Sequence, residues 1–494
     1  MIIFGGKYNL KDTINILKPI TIMKIERLLS SMALAALAAV SLNANAASIS
    51  VSDARMAANH FLKQHTSSKS FNAPALADIR LAHAEASKVE GNAYYVFNID
   101  GGGWVIMAGD DCAKQVLAYG DKGNIDMNNL PDNMKGYLKM LKGQIETAQA
   151  YKGETVPVKA SKRSAAVEPL LKTDWGQGEP MNRQCPVNGS GKITSVGCGP
   201  LAMAQIMYYW KYPSEVAAVP GYSISWSQYM SELPATTFDY SLMLDNYYTH
   251  NPETGNPTGY VAFTEDQANE VAKLCRYCGQ ACKARYGNAN ETSTGSYTYD
   301  QRDAFKRFGY NENMQLIGKD PSYYCSNSNK YTIDEWCDLI NIELQAGRPI
   351  PYHDLYEGHA WVLDGVDADG KFHMNWGFNG RFNGWFEIDA LVFHPYGDDE
   401  VWDFSQGSNG GNEMIIGMYP YDGYVIPGDE PTGMRGDVNK DNEVDIADVT
   451  ALVDYLLSHD ATNIDLEAAN CNQDQDVDIA DVTSLVDYLL SHNW

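Results

Sequence analysis

Thr194-Ser195-Val196-Gly197-Cys198-Gly199-Pro200-Leu201-Ala202-Met203-Ala204-Gln205-Ile206-Met207-Tyr208-Tyr209-Trp210 decides how the centre of this chain is read. A glycine-rich turn runs into an alanine-, methionine- and isoleucine-rich helix, and Cys198 stands at the junction. Free N–H groups and the positive end of the helix dipole favour a thiolate there, so the pattern predicts a lowered pKa for Cys198. Pro200 in the first turn fits a helix opening. By itself the stretch serves a buried structural cysteine equally well.

A nucleophilic thiolate needs an imidazole, and the imidazole needs an orienting group. Gly358-His359-Ala360-Trp361-Val362-Leu363-Asp364-Gly365-Val366-Asp367 reads as a strand with His359 at its start. Lys371-Phe372-His373-Met374-Asn375-Trp376-Gly377 reads as its hairpin partner, bringing Asn375 and Trp376 towards His359. His373, in mid-strand, and His353, without the glycine-led approach, are rival bases. Gly197 and Gly358, flanking nucleophile and base, are expected to border the substrate, as is the loop from Tyr286-Gly287 to Ser296. Gln177, in the turn Thr173 to Asn182, offers an oxyanion donor beside the N–H of Cys198; a surface glutamine is the plainer reading of that residue alone.

The chain has 494 residues, and about 150 per domain suggests three domains. Hydrophobic residues make up 44% and charged residues 20%, which excludes global disorder. A net charge of −26 argues against a nucleic-acid binder. Between Gly436 and Trp494 there are 14 Asp or Glu and one Lys, so half of the excess charge sits in the tail.

That tail repeats itself. Val444-Asp445-Ile446-Ala447-Asp448-Val449-Thr450 returns at Val477-Asp478-Ile479-Ala480-Asp481-Val482-Thr483, an offset of 33 residues. Asp437, Asn439, Asp441, Glu443, Asp445 and Asp448 take positions 1, 3, 5, 7, 9 and 12 of a twelve-residue loop; Asn470, Asn472, Asp474, Asp476, Asp478 and Asp481 repeat them. Calcium takes six to eight oxygen ligands, and this alternation turns them towards one ion. Helical apolar patterns follow (Val449, Leu452, Val453, Leu456 and Val482, Leu485, Val486, Leu489), so the two copies are expected to pack together.

Met23-Lys24-Ile25-Glu26-Arg27, the apolar run Leu28 to Leu42 and Ala44-Asn45-Ala46 form a secretory signal pattern, placing the start at Met23 and the protein outside the cell. The run is too short to span a bilayer, and no transmembrane anchor is expected. Of nine cysteines, Cys275, Cys278 and Cys282 lie on a helical pattern and read as buried apolar residues rather than as a metal cluster.

Two resemblances follow. Trp175-Gly176-Gln177-Gly178-Glu179-Pro180-Met181-Asn182-Arg183-Gln184-Cys185-Pro186, Gly197-Cys198, Gly358-His359-Ala360-Trp361 and Asn375-Trp376-Gly377 together resemble streptopain, the C10 cysteine peptidases. The resemblance implies an α+β fold: a papain-like peptidase at 164–425, an α+β inhibitory propeptide at 47–163 and a signal region at 1–46. It also implies Cys198 as nucleophile, His359 as base and acid, Gln177 as oxyanion stabiliser and Asn375 and Trp376 as the Asn-Trp-Gly element. Gly199-Pro200 after the nucleophile departs from streptopain. The tail, 436–494 behind a linker at 426–435, resembles a type I dockerin: a small all-α domain with two Ca2+ sites and a cohesin-type receptor. Asn470 at position 1 implies a weaker second site, and no cofactor is implied for catalysis. Basic residues at Lys162-Arg163 mark the expected processing point. A Cys/His amidase or transglutaminase-like acyl transferase, and a non-catalytic surface-assembly protein, are the competing readings.

Overall fold

The computed structural model describes residues 47–65, 74–151, 156–157, 165–225, 228–287, 291–319, 331–354, 358–391, 393–394, 412–420, 435–441, 444–458, 464–472 and 477–491. The signal pattern, the Lys162-Arg163 point, most of the expected linker and the ligand positions Glu443, Asp474 and Asp476 lie outside them. Among the described residues no helix is long and apolar enough to cross a membrane.

The first segment is a helix, α1 (Val51–His65), then an antiparallel meander of β1 (Ile79–Ala86), β2 (Asn92–Ile99), β3 (Trp104–Ala108) and β4 (Val116–Gly120), then α2 (Asp132–Ala150). The strands Asn92–Ile99 and Trp104–Ala108 are buried at nearly every residue, as continuous apolar runs covered on two faces must be. One face packs Tyr95, Phe97, Val105 and Met107 against Ala54, Ala58, Phe61 and Leu62 of α1. Asp100-Gly101-Gly102 turns the hairpin between β2 and β3, with positive φ at both glycines.

The central segment carries α3 (Cys198–Trp210), α4 (Glu265–Ala281), α5 (Thr298–Arg307), β5 (Gln315–Gly318), α6 (Ile333–Gln345), β6 (Ile350–Asp354), β7 (His359–Val366), β8 (Phe372–Asn375), β9 (Gly384–Phe386) and β10 (Asn412–Ile416). Capping boxes at Thr264/Gln267 and Thr332/Glu335 start α4 and α6. In α3 every residue from Gly199 to Tyr208 is buried, as an all-apolar helix requires. Cys275, Cys278 and Cys282 are free and buried in the core beside it, and the Cys278 thiol lies 3.4 Å from Met207 Sδ.

The strands of both segments join in one ten-stranded sheet of order β1-β2-β3-β4-β9-β8-β7-β6-β10-β5. Its seam pairs β4 with β9, Tyr119 opposite Trp385 and Ala118 opposite Phe386. Residues 165–171 lie along β7: Val167 and Val366 exchange both backbone bonds, and Leu171 N–H donates to Asp364 Oδ2 at 3.0 Å.

The tail holds α7 (Ile446–Ser458), α8 (Leu466–Ala469) and α9 (Ile479–Ser491) around Val438, Leu452, Ala469, Cys471 and Leu485. Leu452 and Leu485 are repeat equivalents, so the two copies do bury their apolar faces on each other. Arg435, expected in the linker, donates to the Cys471 carbonyl and is part of the tail's packing.

Candidate active site and calcium loops

Cys198 opens α3, with Gly197 as its N-cap at φ +93°. A side chain at Gly197 would lie 2.9 Å from the Thr294 carbonyl, so only glycine fits between nucleophile and the 292–296 loop. That loop braces the approach: Ser195 N–H donates to the Thr292 carbonyl at 2.8 Å, and Thr294 Oγ1 to the Ser195 carbonyl at 2.7 Å.

The chain next to the imidazole reaches the sulfur. Ala360 N–H donates to Cys198 Sγ at 3.4 Å, across 162 residues of sequence. His359 is therefore at the same end of the sheet as the nucleophile, on the residue preceding that contact. Gly358 enters the strand at φ +75°. Of the rival bases, His373 is bound through Nδ1 to the buried carboxylate of Asp364 at 2.6 Å. His353 faces Ala360 across the β6–β7 pair, is only 5% exposed and keeps a buried Nδ1 without a hydrogen bond. Burial, with His359 nearby, pushes His353 down to about 4.

Gln177 is held by its own backbone. Its carbonyl accepts from Val196 N–H at 3.0 Å, two residues before the nucleophile. Asn379 N–H donates to the Trp175 carbonyl at 3.0 Å. Asn375 Nδ2 donates to the Thr173 carbonyl at 2.8 Å, while its Oδ1 accepts from Gly377 N–H at 3.1 Å. The Asn375 amide thus ties the Gln177 loop to the base's hairpin; these bonds, rather than one to the imidazole, are what the structure gives it. Trp376 is buried, its ring 5.0 Å from that of Trp361.

The expectation of a lowered pKa at Cys198 requires correction. Burial pushes the thiol up; N–H groups of Ala360, Gly199 and Cys198 itself pull the other way but do not win. Helix α2 of the first segment lies against this end of β7. Asp132 Oδ2 stands 3.8 Å from His359 Nε2, and Asn133 Nδ2 donates to the Trp376 carbonyl at 3.2 Å. The Tyr137 ring lies 6.2 Å from that of Trp376, tilted by 57°. No sequence pattern singles out Asp132, Asn133 or Tyr137.

In the tail, Asp437, Asp448 and Asp481 are buried carboxylates, 3%, 0% and 0% exposed. Asp448 accepts from Asn439 N–H at 3.0 Å and Asp445 N–H at 2.9 Å. Asp481 repeats this with Asn472 at 2.9 Å and Asp478 at 2.8 Å. Asp441 N–H donates to Asp437 Oδ1 at 3.0 Å. Burial and the neighbouring Asp437 carboxylate raise the pKa of Asp448. Acidic oxygens drawn out of water and curled into one loop fit a hard divalent cation, and such a donor set is calcium's.

The comparisons with known proteins agree with this geometry. Residues 175–386 match the model of the Peptidase C10 family, residues 46–145 that of the Spi protease inhibitor, and residues 435–490 that of the dockerin type I domain. The thiol protease/hemagglutinin PrtT of Porphyromonas gingivalis is 26% identical over 381 residues, 74% of this chain; the match spans 41% of PrtT. Streptopain of Streptococcus pyogenes is 27% identical over 361 residues, 69% of this chain and 85% of its own length. Among solved structures, a prointerpain A fragment of Prevotella intermedia is 26% identical with a TM-score of 0.52, covering 69% of this chain and 98% of that one. The chain carries a C10 peptidase domain, a Spi inhibitor-like propeptide domain and a type I dockerin domain in a mixed α and β, papain-like architecture, and the enzyme class these matches support is a cysteine endopeptidase.

Proposed function

We propose that this C10 peptidase is made as a secreted zymogen that cleaves peptide bonds through a Cys198 thioester, and that its calcium-loaded tail fastens it to a cohesin-type receptor. The observation that carries the reading is the Ala360 N–H to Cys198 Sγ contact, which sets the base's strand against the nucleophile. Cys198 attacks the scissile carbonyl; Gln177 and the Cys198 N–H hold the oxyanion. His359 passes its proton to the leaving amine, then activates water to release the acyl group. Gly197 and Gly358 border the substrate. Asn375 and Trp376 act as positioning residues, Asn375 by locking the Thr173–Gln177 turn to the hairpin of the base.

The propeptide inhibits by occupancy: α2 sets Asp132 against His359 and Asn133 on the Trp376 carbonyl. Removal of 47–163 near Lys162-Arg163 would open the cleft. In the tail, Asp437, Asn439, Asp441, Asp445 and Asp448 hold one Ca2+, and Asn470, Asn472, Asp478 and Asp481 a second, with Glu443, Asp474 and Asp476 completing the sets. The second site is the weaker, because Asn470 brings no charge.

The test is incubation of the zymogen, wild type and Cys198→Ala, with denatured casein. New amino termini from the wild type alone support the reading. Ammonia release without chain cleavage would move the chain to the amidase or transglutaminase-like class, and neither product would leave the surface-assembly reading.

A further inference from the structure

A second set of ligating groups lies away from the cleft, across the boundary between propeptide and peptidase. His65 closes α1; Asp367 and Asp369 stand on the turn between β7 and β8. One imidazole nitrogen and two carboxylate oxygens lie within 4.8 Å of one another, with His65 Nε2 3.1 Å from Asp369 Oδ2. We propose that His65, Asp367 and Asp369 form a site for a divalent transition metal of the zinc class that staples the propeptide to the peptidase.

The groups are oriented for it. In the neutral ring with its proton on Nδ1, that nitrogen donates to the Phe61 carbonyl at 3.3 Å. That tautomer turns the Nε2 lone pair to the carboxylates, as in metal-bound histidines whose other nitrogen donates to a carbonyl. The ring is steadied by Phe61 at 3.9 Å and Tyr119 at 5.5 Å. Asp367 is fixed on both oxygens: Oδ1 accepts from Asp369 and Lys371 N–H at 2.9 and 2.8 Å, Oδ2 from Tyr119 Oη at 2.9 Å. Lys371, the cation of this hairpin, points its Nζ to Glu387 Oε1 at 3.2 Å. A tetrahedral ion with bonds of about 2.0–2.2 Å separates its ligands by about 3.3–3.6 Å, so a small rotation of the exposed Asp369 and of His65 towards the fixed Asp367 closes the set.

Nitrogen plus carboxylate donors, three in number, suit zinc with water in the fourth place; calcium asks for six or more oxygens. His65 and Asp369 side chains are 31% and 42% exposed, which leaves an entry path. Two ligands belong to the peptidase and one to the propeptide, so the complete site exists only in the zymogen. At a hundred times its dissociation constant the ion would shift the equilibrium of propeptide release about a hundredfold towards the bound form. This consequence rests on the zymogen reading; binding of the ion does not.

The experiment uses the full-length Cys198→Ala chain with its tail saturated in Ca2+, titrated with ZnCl2 in a calorimeter at pH 7.5, with melting temperatures alongside. One zinc equivalent, a melting temperature raised by several degrees, loss of both in His65→Ala and at least tenfold weaker binding in Asp369→Asn are expected. Absence of zinc binding, or binding indifferent to both substitutions, overturns the proposal. A His65-dependent stabilisation that ignores zinc also overturns it, and assigns the trio to a His65–Asp369 pair. Asp369→Asn lies on an exposed turn, so the test survives a folding failure of His65→Ala.

Discussion

Asp132 Oδ2 of the propeptide stands 3.8 Å from Nε2 of His359, and the next residue, Asn133, holds the Trp376 carbonyl. One helix start thus engages both the proposed base and the element beside it. Asp132→Ala with Asn133→Ala is expected to shorten the lag of self-processing several-fold and to leave kcat of the matured enzyme unchanged, read as a time course of the mature band. The hydrogen bond from Lys135, and to a lesser degree the charge of His359, hold Asp132 below its ordinary 3.8. A depressed carboxylate contributes above its unfolded value and is lost only as pH falls below it. Lowering the pH to 5 therefore leaves the Asp132 contribution to latency in place.

Cys198 should change reactivity on maturation. Burial pushes its thiol above the ordinary 9.0 in the chain with its first segment attached. Iodoacetamide should label Cys198 at least tenfold faster after the propeptide is removed, quantified by mass spectrometry of the Cys198 peptide. Equal rates would mean that burial is not what silences it.

His353 should govern acid stability. Its pKa falls from 6.5 to about 4 on folding, so the unfolded chain binds more protons between those values. Stability due to this group is complete above pH 6.5 and drains as the pH drops towards 4, by at most about 3 kcal/mol at about 1.4 kcal/mol per pH unit. His353→Gln should flatten urea midpoints over that window; an unchanged slope would contradict the assignment.

Calcium removal should separate the two ends of the chain. EGTA is expected to unfold the tail, read as protease sensitivity after residue 435 and loss of receptor binding, while casein cleavage by the matured enzyme continues. Calorimetry should resolve two Ca2+ sites; Asp448→Ala should remove the tighter one and Asp481→Ala the weaker.

Much of this was legible because some chemistry is local in sequence. The glycine turn before Cys198, the glycine before His359 and the doubled loop of the tail each carry their own spacing, and α3 begins at the cysteine. The pairing of Val362 with Asn375 follows from the hairpin, but the bond of the Asn375 amide to Thr173 does not, since it depends on a turn 202 residues away. The roles of Asp132 and Asn133 and the joined sheet at Tyr119–Trp385 are tertiary contacts without a local pattern. At Cys198 the helix start speaks for a thiolate, whereas the burial that opposes it arises only in the assembled fold.

The central claim is a covalent bond between Cys198 and substrate. Matured enzyme, mixed with a peptide ester and quenched in acid within milliseconds, should yield a Cys198 peptide heavier by the mass of the acyl group, and His359→Ala should yield none on that timescale. Rapid cleavage of the ester with the acyl mass on another residue, or with no adduct at any quench time, would contradict the account.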